Sequence, residues 1–285
     1  MNKIKAVILD VDGVIVGDKE GFNAPYPPQV VINKLKKIRE NGIYVILCST
    51  KPYYSVKKIV EDAHLNNIQT GLAGAILIDP TNLQVIKKHV IDHSTAIELV
   101  QKFLENNIYT EIYTTEKYYI QKSQKNVVTD LHNFTLSSEP IMVKDLTEKT
   151  KNSEIVKILP VTKTAKEKKI VDKIFSDYGS KLMIGWSTHP AIKGYFFGNI
   201  TASGISKKQS VLEIMDIYKI KPEEILGVGD SLTDWDFIEV CGFAGAMGNA
   251  ISNLKKLVLS KNKNGYVGKS VNENGILDIF QHFGL

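Results

Sequence analysis

Short apolar runs alternate with amphipathic segments at the start of the chain. Residues 4–9 and 43–48 are almost entirely apolar, as expected for strands that are buried on both faces of a parallel sheet. Apolar residues recur at helical spacing over residues 31–38, Gly42 is well placed to end that helix, and residues 54–63 show a second helical pattern. This strand–helix–strand–helix order predicts a doubly wound sheet.

The pattern changes between about residues 81 and 195. Short strands that are alternating or rich in aromatic residues follow one another here, flanked by helical patterns at 94–105 and 164–178. Adjacent strands paired with helices in this way predict an α+β module, and the polar stretch 136–153 is loop-like. The predicted strands of this region are 108–114, 118–122, 154–160, 182–186 and 193–199.

The alternating rhythm resumes after Gly204. A helix is predicted at 207–218, with Val211, Leu212 and Met215 on one side. We therefore predict a doubly wound, Rossmann-like α/β core with an inserted α+β domain, the core being residues 1–80 and 195–285 and the insert residues 81–194. The remaining predicted elements are strands at 225–229, 243–247 and near 256–259, and a helix at about 273–283.

The composition is that of a globular protein with an ordinary charge content. The 285 residues are 43% hydrophobic and 24% charged, which is enough apolar material for a substantial core. The formal net charge of +5 suits an anionic substrate. The lysines form no basic block and no aromatic-interleaved stripe, so we predict no nucleic-acid partner.

The cysteines and the N-terminal residues bear on the cellular compartment. Cys48 and Cys241 stand in unrelated contexts and indicate neither a disulfide framework nor a CxxC metal site. Asp10 and Asp12 interrupt the first apolar run, and no apolar stretch reaches the roughly 18 residues that span a bilayer. We expect a cytoplasmic protein with no membrane partner, as a monomer or small homo-oligomer.

A pair of carboxylates directly follows the first predicted strand. Asp10 and Asp12 are two residues apart, so in extended backbone both side chains face the same side. Two carboxylates at one site repel unless a cation or a proton lies between them. Taken alone, the sequence from Asp10 to Gly13 is more commonly an ordinary solvent-exposed Asp-Gly turn.

Two further groups that suit phosphate chemistry occupy a strand end and a helix start. Ser49 and Thr50 follow the second predicted strand, where a hydroxyl and turn N–H groups can hold a phosphate, although a helix cap or a local Ser/Thr turn is the simpler explanation. Lys207 begins a predicted helix, where its charge opposes the helix dipole. That position becomes favourable if the ammonium neutralises a phosphate and a carboxylate, although most lysines, Lys208 included, are surface residues.

A second acidic pair follows the strand at 225–229. Asp230 is expected to face the same sheet edge as Asp10 and Asp12, and Asp234 lies four residues later. Mg²⁺ prefers hard oxygen ligands, so carboxylates gathered at one edge suit it. The alternative is a polar loop with an Asp helix cap.

Taken together, these groups resemble the four ordered motifs of the haloacid dehalogenase (HAD) superfamily of phosphotransferases. The resemblance is to the Cof-type branch, in which an α/β cap lies between the second and third motifs. It covers nearly the whole chain, and its most specific stretch is residues 227–250, GVGDSLTDWDFIEVCGFAGAMGNA. It implies a phosphatase that acts on a small phosphorylated metabolite, such as a sugar phosphate.

The resemblance also implies roles for the motif residues. Asp10 would be the nucleophile that forms an aspartyl-phosphate, and Asp12 would protonate the leaving oxygen and then activate water. Ser49 would take the place of the motif hydroxyl, with Thr50 beside it at the substrate, and Lys207 that of the motif lysine. Covalent catalysis of this kind divides one hard displacement into two easier ones.

The metal ligands and a further substrate contact follow from the same resemblance. Asp10, the Asp12 backbone carbonyl and Asp230 would bind Mg²⁺, and Asp234 would support the metal's water shell. Asn249, after Met247 and Gly248, would contact the substrate.

Several positions depart from the family pattern and leave two alternatives open. Val14, Thr50, Lys51 and Thr233 replace the usual Thr, Gly, Arg and Asn, which bears on rate and substrate preference. A sugar phosphomutase and a non-catalytic regulator that binds a phosphometabolite remain the alternatives to a phosphatase. Cys48 and His189 are interpreted as structural or surface residues.

Overall fold

The computed structural model describes residues 4–189 and 192–285, and the first part of the chain alternates strands and helices. The first elements are β1 (Ala6–Leu9), α1 (Gln29–Glu40), β2 (Tyr44–Leu47), α2 (Tyr53–Asp62), β3 (Gln69–Gly71), β4 (Ile76–Asp79) and β5 (Gln84–Lys88). The middle elements are α3 (His93–Glu105), β6 (Tyr109–Tyr113), β7 (Tyr118–Gln121), α4 (Val127–Leu136), β8 (Ile141–Val143), α5 (Leu146–Lys151), β9 (Lys157–Thr162), α6 (Ala165–Ser176), β10 (Leu182–His189) and β11 (Ile192–Ala202). The last elements are α7 (Lys207–Tyr218), β12 (Ile225–Gly229), α8 (Leu232–Ile238), β13 (Phe243–Ala246), α9 (Ser252–Leu259), β14 (Gly265–Val267) and α10 (Gly275–His282).

A parallel five-stranded sheet in the order β14-β13-β12-β1-β2 forms the core. β1 is completely buried, as its apolar sequence requires. From β1 the chain proceeds to β2 on one side, and it returns to β12 on the other side. The carboxyl end of β1 is therefore the topological switch point, where open α/β sheets bind their ligands.

The inserted region contains a six-stranded sheet in the order β10-β11-β9-β6-β7-β8, antiparallel except for the β7–β8 pair. Ile112, Ile158 and Ile200 on one face of this sheet pack against apolar residues of α3, α5 and α6. Successive side chains along a strand point to opposite faces of the sheet. The residues next to these isoleucines therefore lie on the other face, towards the core. A separate antiparallel sheet, β3-β4-β5, adjoins β2 through the pairing of Cys48 with Thr70.

The predicted fold class, a doubly wound α/β core with an inserted α+β domain, is confirmed. Within the insert, the stretch 136–153 was interpreted as loop-like, but it contains β8 and α5. The short helix α5 begins at the Asp145 cap, whose side chain accepts a hydrogen bond from the N–H of Glu148, and it buries Leu146 and Thr150. Such a short element gives too little periodicity to be read from the sequence.

Two details of the C-terminal part differ from the prediction. The strand expected near 256–259 belongs to helix α9, whose buried Leu254 and Val258 lie four residues apart. Leu212 of α7 is exposed, and the buried side of that helix uses Val211 and Ile214. In both segments only some of the neighbouring apolar residues face the core, since Leu212 and Leu259 are exposed.

The predicted domain junctions lie inside paired elements of the sheets. The junction at 80/81 is in the turn between β4 and β5, and the junction at 194/195 lies within β11. The chain leaves the parallel sheet after β2, enters the six-stranded sheet after β5, and returns to the parallel sheet after β11. Within the described residues, no helix has the length and apolar composition needed to cross a membrane.

Candidate active site

Asp10 lies immediately beyond the carboxyl end of β1. Its N–H continues the sheet by donating to the Val228 carbonyl oxygen at 3.0 Å, which fixes the backbone of this residue. The side chain is buried, and its Oδ1 lies 2.8 Å from Nζ of Lys207. Burial raises the pKa of Asp10 to about 7, although the Lys207 ammonium opposes that shift.

Lys207, the first residue of α7, reaches into the same site. Its Nζ bridges two carboxylates, at 2.8 Å from Oδ1 of Asp10 and 2.7 Å from Oδ1 of Asp234. Burial alone would lower its pKa, but the two carboxylates hold the pKa of Lys207 above its ordinary value. These partners explain why a buried lysine is stable at the N-terminus of a helix.

Asp234 braces the loop that follows β12. It is fully buried, and its Oδ2 accepts hydrogen bonds from the N–H groups of Asp230 and Ser231 at 3.0 and 2.9 Å. Its other oxygen is taken by Lys207, so both carboxylate oxygens already have partners in the protein. Asp234 therefore holds the Asp230 loop and orients Lys207, while the Asp230 carboxylate remains beside Asp10.

Asp230 packs directly against the backbone of Gly13. A Cβ atom at Gly13 would lie 2.0 Å from Oδ2 of Asp230, and Gly13 has a φ of +81°, which glycine adopts most readily. Glycine at position 13 thus allows the two acidic loops to approach each other.

We expect Gly13→Ala to cost about 1–3 kcal/mol in the free energy of unfolding and to displace Asp230. Gly21→Ala is the matched control, since Gly21 has a φ of +75° but open space around the added methyl group. Urea unfolding and phosphatase assays of both variants measure the difference. A Gly13→Ala enzyme as active and as stable as the Gly21→Ala enzyme would contradict close packing of the two loops.

The carboxylates of this site outnumber its cations. Asp10, Asp230 and Asp234 each place an oxygen within 4.8 Å of the others. If all three are ionised, the single ammonium of Lys207 leaves two negative charges, which one divalent cation would neutralise. Burial raises the pKa of Asp230 well above its ordinary value, and the neighbouring Asp234 and Asp10 add to that shift. The oxygen donors and the excess negative charge fit Mg²⁺.

Asp12 has a different electrostatic environment from Asp10. Its Oδ1 lies 2.8 Å from Nζ of the buried Lys51 and 3.3 Å from Nε2 of His189. Burial would raise the pKa of Asp12, but Lys51 and His189 hold it below its ordinary value. The two neighbouring carboxylates thus have pKa values shifted in opposite directions, because Lys51 and His189 outweigh burial at Asp12, whereas burial outweighs Lys207 at Asp10.

Ser49 and Thr50 point to different environments. Ser49 is buried, and its Oγ accepts a hydrogen bond from the N–H of Lys51 at 3.1 Å, the local turn that was the alternative explanation. Thr50 lines the cavity beside Asp10, and its carbonyl oxygen accepts a hydrogen bond from Lys157 at 2.9 Å.

Asn249 ties three loops together at the rim of the site. Its Nδ2 donates to the Gly13 carbonyl oxygen at 2.9 Å, and its Oδ1 accepts from the N–H of Val271 at 2.8 Å. The same Nδ2 lies 3.4 Å from Oδ2 of Asp230. Its amide thus supports the Asp230 loop, and its side chain also lines the cavity.

A cavity of about 450 Å³ separates these core residues from the inserted sheet. The core side carries the acidic groups Asp10, Asp12 and Asp230 together with Lys207. The insert side is formed by the face of its sheet that points away from α3 and by helix α4. Its members are Tyr113, His132, Thr135, Leu136, Lys157, Leu159, Ser187, Thr188, His189, Ile192, Lys193, Gly194, Phe197 and Asn199.

The model of the haloacid dehalogenase-like hydrolase family matches residues 7–280. The chain belongs to this family. Phosphatase YwpJ of Bacillus subtilis is 21% identical to it, over 98% of this chain and 99% of the relative. The predicted family and the predicted class of enzyme, a phosphoric monoester hydrolase of the HAD type, are confirmed.

Solved structures of the family share the fold over almost the whole chain. A haloacid dehalogenase-like hydrolase from Bacteroides thetaiotaomicron superimposes with a TM-score of 0.81 at 19% identity, covering 98% of both chains. A HAD subclass IIB sugar phosphatase superimposes with a TM-score of 0.78 at 21% identity, covering 98% of this chain and 99% of that one. The region from α3 to β11, which contains the six-stranded sheet, is hereafter called the cap.

The structure brings most of the predicted site residues to one edge of the parallel sheet. Asp10, Asp12, Lys207 and Asp230 line one cavity, and Asp234 lies directly behind them. Their roles stay predictions.

Several residues of the cavity were not found from the sequence. Lys51 was noted only as a departure from the family pattern, and His189 was interpreted as structural, yet both contact Asp12. Lys157 and His132 lie in segments without a motif. The β6–β9 pairing places Lys157, and helix α4 carries His132 to the same cavity.

Proposed function

We propose that this protein is a Mg²⁺-dependent phosphatase that hydrolyses a small phosphorylated metabolite through an aspartyl-phosphate at Asp10. The observation that carries the proposal is the shared contact of Asp10 and Asp234 with Lys207, beside Asp230 and at the floor of the cavity. A nucleophilic carboxylate, a lysine and an excess of acidic oxygens form a site suited to phosphoryl transfer.

Asp10 is the proposed nucleophile. Its carboxylate attacks the phosphorus atom, the ester oxygen leaves, and a water molecule then hydrolyses the aspartyl-phosphate and restores Asp10. Lys207, held 2.8 Å from Asp10, is placed to offset the negative charge on the phosphoryl oxygens. Asp234 keeps that ammonium in position.

Asp12 is the proposed acid and base. Lys51 and His189 favour its ionised form, which is the form that takes a proton from the attacking water. In the preceding step Asp12 must give a proton to the leaving oxygen, and only the protonated form of Asp12 can do so. Since His189 comes from the cap, opening of the cap would remove one of the two groups that keep Asp12 ionised.

Mg²⁺ is the proposed cofactor. Asp10 and Asp230 would hold it with the backbone carbonyl of Asp12, and Asp234 would orient its water shell. When bound, the ion supplies positive charge that screens the phosphoryl oxygens from the carboxylates. The contacts of Asp234 with Lys207 and two N–H groups support this division between ligands and bracing residue.

A phosphorylated sugar or similar metabolite is the proposed substrate. The cavity of about 450 Å³ suits a small metabolite, and one structural relative is described as a sugar phosphatase. We further propose that the core comprises the parallel sheet and the cap the six-stranded sheet, with the junctions after β5 and after β11.

Removal of divalent cations with EDTA is expected to abolish turnover, and added Mg²⁺ to restore it. The apparent affinity for Mg²⁺ should fall as the pH drops below about 7, because protons then occupy Asp10 and compete with the metal. Calorimetric titration of the metal-free protein with Mg²⁺ between about pH 6 and pH 8 measures this. Full activity in EDTA would contradict the proposed cofactor.

The test of the function is phosphate release from a general aryl phosphate and from hexose phosphates with Mg²⁺ present. Free phosphate supports the phosphatase. Conversion of one hexose phosphate into an isomer without phosphate release would indicate the mutase, and binding of hexose phosphate with no turnover of any ester would indicate the regulator.

A further inference from the structure

Lys157 lies on the cap side of the cavity, at the start of β9. It stands opposite Tyr113 of β6, and its Nζ lies 4.7 Å from the centre of that ring. The residue is only 3% exposed, and its ammonium donates to the carbonyl oxygen of Thr50 at 2.9 Å. Lys157 is therefore a buried cation at the point where the cap faces the core.

The charge of Lys157 is not matched by a carboxylate. Among the residues that the structure describes, no ion pair includes it. The carboxylate that acts on it electrostatically, Glu111, already accepts hydrogen bonds from Tyr109 and Tyr113 and contacts His132. Burial lowers the pKa of Lys157 to about 7, because a cation without a counter-ion is costly in a desolvated site.

His132 lines the same cavity and contacts Glu111, the carboxylate that acts electrostatically on Lys157. Its Nδ1 is 2.8 Å from Oε1 of Glu111, and its ring stacks on Phe197 at 5.1 Å. With Nδ1 engaged by Glu111, Nε2 is the ring nitrogen left for the cavity that His132 lines. Glu111 is completely buried behind the ring, so the cap presents a cation and an imidazole to the cavity.

From these contacts we infer that Lys157, with His132, forms a subsite for a second acidic group, carried on the leaving group of the substrate. Resting on the proposed function, the inference narrows the substrate class to phosphate monoesters that also bear a carboxylate or a second phosphate. The transferred phosphoryl group already has Lys207 at Asp10, whereas the cation on the opposite wall has no anion. A negative group placed there forms a desolvated, charge-assisted hydrogen bond.

The experiment compares phosphate esters that differ only at the end remote from the phosphate. The three-carbon set is glycerol 1-phosphate, 3-phosphoglycerate and glycerol 1,3-bisphosphate. The six-carbon set is glucitol 6-phosphate, 6-phosphogluconate and glucitol 1,6-bisphosphate. We expect an acidic ester of at least one set to exceed its neutral counterpart in kcat/KM by about 10- to 100-fold. The ester with the highest kcat/KM shows whether the second acidic group is a carboxylate or a phosphate.

Lys157→Met keeps the length of the side chain and removes its charge. It is expected to abolish the acidic preference, because kcat/KM should fall much more for the acidic esters than for the neutral esters. Lys193→Met is the matched control, because Lys193 also lines the cavity but is exposed, and we expect it to keep the preference. Equal losses for neutral and acidic esters in Lys157→Met, or no acidic preference in the wild type, would overturn the inference.

Measurements of ligand affinity without turnover test this inference independently of the proposed function. Calorimetry of Asp10→Asn with the same esters measures affinity without turnover, and the acidic preference should again depend on Lys157. If the wild type releases phosphate from none of the esters, the proposed function fails, and the binding data still decide the inference. Thermal unfolding of Lys157→Met verifies that the variant is folded.

Discussion

Asp10→Asn is expected to lower kcat by at least about 10³-fold, because an amide cannot form the phosphoryl-enzyme bond that the proposed mechanism requires. The substitution preserves the shape of the side chain and leaves an oxygen that can accept the Lys207 hydrogen bond. Burial of the charged form raises the pKa of Asp10, so a neutral amide relieves that cost and the variant should fold. Steady-state phosphate release with Mg²⁺ measures the loss.

The matched control is Asp216→Asn, on the exposed side of α7, where Asp216 pairs with the neighbouring Lys219. We expect this variant to retain kcat within about twofold, as surface substitutions usually do. Wild-type turnover by Asp10→Asn would remove Asp10 from the chemistry.

Lys207→Met is expected to lower the free energy of unfolding, which is the second large effect. The substitution leaves the buried carboxylates of Asp10 and Asp234 without the cation that lies 2.8 and 2.7 Å from them. Breaking a buried ion pair from one side typically costs about 3–5 kcal/mol, and we expect a loss of that order in metal-free protein near neutral pH. Urea unfolding in EDTA gives the free energy directly.

The pH dependence of that loss follows from the carboxylates. Burial already raises the pKa of Asp10 to about 7 despite Lys207, and loss of the ammonium raises this pKa further, so the contribution of Asp10 to the penalty accumulates as the pH increases above about 7 and is small at lower pH, where Asp10 is protonated in both proteins. Lys208→Met is the control: it breaks an exposed pair with Glu239 and should cost about 0.5 kcal/mol or less. Equal losses in the two variants, or a loss independent of pH, would contradict a central charge role for Lys207.

The core half of the site could be predicted because parallel strands bring their carboxyl ends to one edge. Asp10 follows β1 and Asp230 follows β12, and these strands are neighbours in the sheet. Lys207 was recognisable because a lysine at a helix start is locally unfavourable and so requires anionic partners.

The cap half could not be predicted from the sequence, because tertiary pairing creates it. The register of β6 with β9 places Lys157 next to Tyr113. Packing of α4 on β6 brings His132 to Glu111. Period-two patterns locate such strands but do not say which strands pair. The direction of the Ser49 hydroxyl, which turns into its own loop, is likewise set by local hydrogen bonding.

The structure changes the expected behaviour of Asp12 more than that of any other predicted residue. A general acid must hold a proton before the first step, whereas Lys51 and His189 favour the ionised form. Lys51→Met should therefore raise the pKa of Asp12 and shift the alkaline limb of the pH–rate profile to higher pH. An unchanged profile would mean that Asp12 does not donate the proton.

Trapping of the phosphoryl-enzyme tests the central claim most directly. Wild-type protein with Mg²⁺ is mixed with an excess of a phosphate ester that it hydrolyses and is quenched in acid within one turnover. The peptide that contains Asp10 is then examined by mass spectrometry. The mechanism predicts one phosphoryl group on Asp10, absent from Asp10→Asn treated in the same way. A phosphoryl group on another residue, or phosphate release with none on Asp10 at any quench time, would contradict it.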